Sequence, residues 1–70
     1  MKPKTCKEAA QTLDDYRDTV STDEEWNVLK GQIEILEAFG EVPLPKVVED
    51  NFQWDYIFLV IQERKTHLMK

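Results

Sequence analysis

The sequence predicts an all-α fold, a small domain of three helices over about 6–19, 22–39 and 51–66 with a Pro-containing connector before the last. Two observations carry that prediction: helix-capping signatures at Thr5 and at Ser21–Thr22, and apolar residues that recur every three or four positions after each of them. With 70 residues there is room for one small domain, its ends expected to fray. A chain this short hides only about 60% of the surface its unfolded form exposes, so its own core is thin.

The first helix starts at "TCKE", where Thr5 can accept from the Glu8 N–H while Glu8 reaches back. Cys6, Ala9, Ala10, Leu13, Tyr16 and Val20 then form a narrow stripe of mostly small residues, able to lie close to a neighbour but burying little area. A second start follows in "STDEEW", and its three acids suit the positive end of the helix dipole. Trp26, Leu29, Ile33 and Leu36 repeat along this helix, widened on one side by Val28, Ile35 and Phe39, until Gly40 offers a left-handed stop. Gly31 inside it costs about 1 kcal/mol relative to alanine, to be offset by a close neighbour or simply tolerated.

In "EVPLPKVVEDN", Pro43 and Pro45 exclude a continuous helix, although Lys46 to Glu49 can make one helical turn. The last segment allows two readings. As a helix, Asp50 or Asn51 is the cap, with Trp54, Ile57, Phe58, Ile61 and Leu68 on one face and Phe52, Tyr56, Leu59 and Val60 on the other. As a strand over 52–61, the alternative α+β reading, alternation sets Phe52, Trp54, Tyr56, Phe58 and Val60 on one side. The helix is preferred because a strand of that length has no evident partner in the chain. Tyr56 to Ile61 is apolar all round, more than one edge helix can hide, which predicts a homo-oligomer or a protein partner unless Leu44, Val47 and Val48 fold over the second side.

The net charge of −5 is unevenly spread. Residues 1–7 carry +3, residues 8–55 carry −10, and residues 56–70 carry +2. An acidic body repels phosphate backbones and attracts basic surfaces, so nucleic acid is a poor ligand for it and a basic protein a good one. A helix-turn-helix is disfavoured for the same reason, because the second helix opens with Asp23, Glu24 and Glu25. The basic tail from Arg64 to Lys70 keeps a nucleic-acid-binding regulator as the alternative.

Enzymatic chemistry is not expected. Cys6 and His67 are the only nucleophile and base candidates and sit at opposite ends of the chain, a zinc site wants more His and Cys than these two, and two glycines make no phosphate loop. No cofactor or metal is expected. The lone cysteine, the polar opening and the lack of a long apolar run lead to the expectation of a cytoplasmic chain without a membrane span.

These features together predict a small acidic protein-interaction module, a regulator or inhibitor of a basic or nucleic-acid-binding partner, with a size and charge compatible with a bacterial or phage inhibitor. Its partner surface is expected to combine Asp14, Asp15, Asp18, Asp23, Glu24, Glu34 and Glu37 with an apolar contact made by Tyr56, Leu59 and Val60.

Overall fold

The structure, a computed structural model, describes residues 2–68, with side chains through residue 66. Among these residues four helices follow in order: α1 (Cys6–Arg17), α2 (Asp23–Phe39), α3 (Lys46–Asn51) and α4 (Trp54–Leu68). The fold is all-α, as expected, and 52–61 is not a strand. Three boundaries move. α1 ends at Arg17, where the Thr19 hydroxyl and N–H both turn back to the Tyr16 carbonyl. The single turn expected at Lys46–Glu49 is a helix of its own that runs to Asn51, so Asp50 and Asn51 belong to α3 and do not cap α4. The chain then extends at Phe52 (φ −123°, ψ 147°) and α4 begins at Trp54.

The first N–H groups of a helix have no partner within it. In α1 all of them are met: Cys6 and Lys7 donate to the Val42 and Gly40 carbonyls (2.9 and 2.8 Å), Glu8 to the Thr5 hydroxyl (3.1 Å), and Ala9 to the Thr5 carbonyl. The Glu8 carboxylate accepts from the Lys4 N–H at 2.7 Å, one register before the expected capping box. Leu44 N–H donates to the Lys4 carbonyl at 3.0 Å. The N-terminal segment is thus stitched to the connector through residues 4–7. At α2, Thr22 accepts from the Glu25 N–H (3.4 Å), and Gly40 ends the helix at φ 71°, ψ −131°. That ψ lies outside the left-handed helical region, in territory open essentially to glycine.

α1 lies in the middle of the domain. Its main packing partners are α2 and α4. α2 runs antiparallel to it, with Lys7 near Glu41 (3.9 Å) at one end and Arg17 over Trp26 (4.7 Å) at the other. α4 runs roughly parallel to it, with Lys2 paired to Glu49 before its start and Arg64 near Asp18 (3.8 Å) toward its end. The small residues explain the position. Helix axes approach most closely where side chains are short, so Cys6, Ala9 and Ala10, all fully buried, let two neighbours close on one helix, with Leu13 buried beside them.

Around them the core is completed by Leu29, Ile33 and Leu36 of α2 and by Trp54, Ile57 and Ile61 of α4, as the apolar spacing of both helices predicts. Leu44, Val48 and Phe52 pack partly against it, whereas Val47 points outward. Trp26 is a correction to the expected core row. It stands in the first turn of α2, past the last buried residue of α1, and its ring is covered by cations, Arg17 on one side and Lys30 at 5.7 Å.

Gly31 gains no close neighbour. It is exposed in mid-helix, and a methyl group built on it meets nothing within 4 Å. Gly31→Ala is therefore expected to raise stability by about 1 kcal/mol, through helix propensity and a less flexible unfolded chain. The urea midpoint checks this, and an unchanged or lower midpoint contradicts it.

Candidate functional site

The acidic residues expected to face a partner are exposed or half-buried, but they do not form one patch. Asp14 is half-buried and paired with the Arg17 guanidinium at 2.6 Å. Asp15 accepts from the Gln11 amide at 3.3 Å, and Asp18 lies 3.8 Å from Arg64. The α1 acids are thus partly neutralised within the chain, and Arg64, the first residue of the basic tail, lies near one of them. Asp23 and Glu24 stand at the opening of α2, while Glu34 and Glu37 lie exposed further along it.

On α4 the apolar residues sort by helical angle. Trp54, Ile57 and Ile61 turn to the core, which leaves Tyr56 and Leu59 each 55% exposed and Val60 half-buried. The connector does not cover this flank. The His67 and Leu68 side chains lie outside the described side chains, and Lys70 lies outside the described residues.

A second apolar row lies on α2. Val28, Ile35 and Phe39 are 62%, 53% and 59% exposed, and at 100° per residue they fall within about 40° of one another. Sequence reading had merged them with the core stripe. Their i, i+7, i+11 spacing is the signal that separates them: it places the row about 100° round the helix from Leu29, Ile33 and Leu36. The borders of the row between its ends, Gly31, Gln32 and Ala38, are uncharged.

At its N-terminal end the row runs into a hollow lined by Tyr16, Thr22, Glu24, Glu25, Val28 and Leu29. Burial holds the Tyr16 phenol above its ordinary pKa, and the nearby Tyr56 phenol and Glu25 carboxylate add to the effect. The hollow therefore has apolar walls and an acidic rim.

Cys6 is fully buried at the start of α1, out of reach of solvent. Among the described residues no group of three or more His, Cys, Asp and Glu side chains is placed to hold a metal ion, and no helix is long and apolar enough to cross a membrane. Comparison of the chain with protein-family models, curated proteins and solved structures finds no match.

Proposed function

We propose that this chain is a small acidic binding module that docks on a protein partner with a basic surface and acts on it as a regulator or inhibitor. The observation that carries this reading is the α2 row. Three large apolar side chains in line, each more than half exposed, are a heavy load for a domain whose buried core holds ten apolar residues among those described. Tyr56 and Leu59 add a second apolar surface on α4. The acids around both favour a basic protein and repel a phosphate backbone.

The test is capture from native lysate with the wild-type chain and with an Ile35→Ser/Phe39→Ser variant as baits, at low and high salt. Both positions are exposed, so the variant is expected to fold, which its thermal melt verifies. The expected result is a protein retained by the wild type, weakened by salt and lost with the variant. Identical captured sets with both baits would contradict the reading.

A further inference from the structure

We propose that the α2 row receives a basic amphipathic helix of the partner, laid along α2 with apolar residues over Val28, Ile35 and Phe39 and one Lys or Arg seated in the hollow between Tyr16, Glu24 and Glu25. The proposal rests on the docking reading just given and names the occupant.

Dimensions and charge both point to that occupant. From Val28 to Phe39 the row is about 16 Å long, the span of about three helical turns, and a straight row of this kind matches the i, i+3, i+4, i+7 anchors of a helix lying alongside. Glu24 and Glu25 straddle its N-terminal end, about 40° to one side and 60° to the other. The hollow between them has the two parts that a long basic side chain needs. Tyr16, Val28 and Leu29 form an apolar wall for the methylene stem, and the carboxylates meet the charged head. Uncharged borders in the middle of the row and charge at its end reproduce the apolar centre and polar rim of protein interfaces.

A second copy of this chain is a poor occupant of the same face. Lys30 is the only cation of α2, and it lies about 160° round the helix from the row. Two copies of charge −5 meeting there would bring carboxylates toward carboxylates with no basic residue of α2 to answer them. The homo-oligomer expected from the sequence is therefore not assigned to α2.

The experiment is a ¹⁵N NMR titration of the full chain with a Leu/Lys peptide of about 18 residues at helical spacing, and with its Leu/Glu counterpart. The Leu/Lys peptide is expected to shift the amides of Tyr16 and of residues 24–39 and to leave those of residues 59–63 in place. Glu24→Gln/Glu25→Gln is expected to weaken it about fivefold, and Ile35→Ser/Phe39→Ser about tenfold. Asp50→Asn/Glu63→Gln, which removes the same net charge elsewhere, is expected to change affinity less than about twofold. Shifts centred on α4, equal weakening by the two charge pairs, equal binding of the Leu/Glu peptide, or no binding of the Leu/Lys peptide would each overturn the basic-helix inference. The docking reading would survive all four if lysate capture still depends on Ile35 and Phe39, and would fall with them if it does not.

Discussion

Trp54→Ala is expected to abolish cooperative unfolding, or to leave a transition that begins without denaturant, through a loss of about 3–5 kcal/mol. Trp54 is the largest fully buried side chain, 2% exposed at the first residue of α4. Three elements meet on it. Its indole N–H donates to the Glu49 carbonyl of α3 at 3.0 Å, its ring lies 5.2 Å from that of Phe52 in the link, and its body joins the core that α1 centres. A domain of this length has a total stability of about 3–10 kcal/mol, so a loss of that size consumes most or all of it. Trp54→Phe separates the contributions: it keeps most of the bulk, gives up the hydrogen bond to Glu49, and is expected to cost about 1 kcal/mol more than its lost packing. Urea unfolding followed by far-UV circular dichroism reads both variants. A wild-type midpoint for Trp54→Ala would mean that α4 is not anchored through this residue.

What could be read from the residues alone was what depends on near neighbours. The Thr5 and Thr22 caps form over three residues, and the rows Leu29–Ile33–Leu36 and Trp54–Ile57–Ile61 follow from helical period, so both were legible without knowing what they pack against. The pairing of Lys4, Cys6 and Lys7 with residues 40–44 was not, because it joins segments more than thirty positions apart and no side-chain pattern encodes a backbone hydrogen bond between them. The partner surface divided along the same line. Exposure of Tyr56 and Leu59 follows from a helix that is apolar on every side. The acidic sign of Asp14 and Asp18 was also plain, but their ties to Arg17 and Arg64 show only once the helices are placed. Val28, Ile35 and Phe39 were hidden by adjacency to a true core row, since a wide apolar face and two neighbouring narrow ones look alike until burial tells them apart.

Ala9→Leu tests the central position of α1 most directly. Ala9 is 0% exposed and Ala10 1%, on a helix that faces α2 on one side and α4 on the other. At the edge of a bundle, a larger side chain in this stripe could be accepted by a small outward shift of the helix. Because α2 and α4 both pack on this stripe, an outward shift of α1 toward its exposed Gln11 side separates it from both at once, and otherwise the added methylenes must force strained rotamers. The expected loss is about 1–3 kcal/mol, at the upper end because a shift away from either neighbour loosens contacts on both. Gln11→Leu adds a leucine to the same helix on its exposed side and is expected to change stability by less than about 0.5 kcal/mol. The difference between the two urea midpoints is therefore a measure of confinement, since the leucine introduced is the same in both and only its surroundings differ. Equal midpoints would place α1 at the edge of the domain, and would leave α2 and α4 to hold their apolar rows by some other arrangement than closing on this helix.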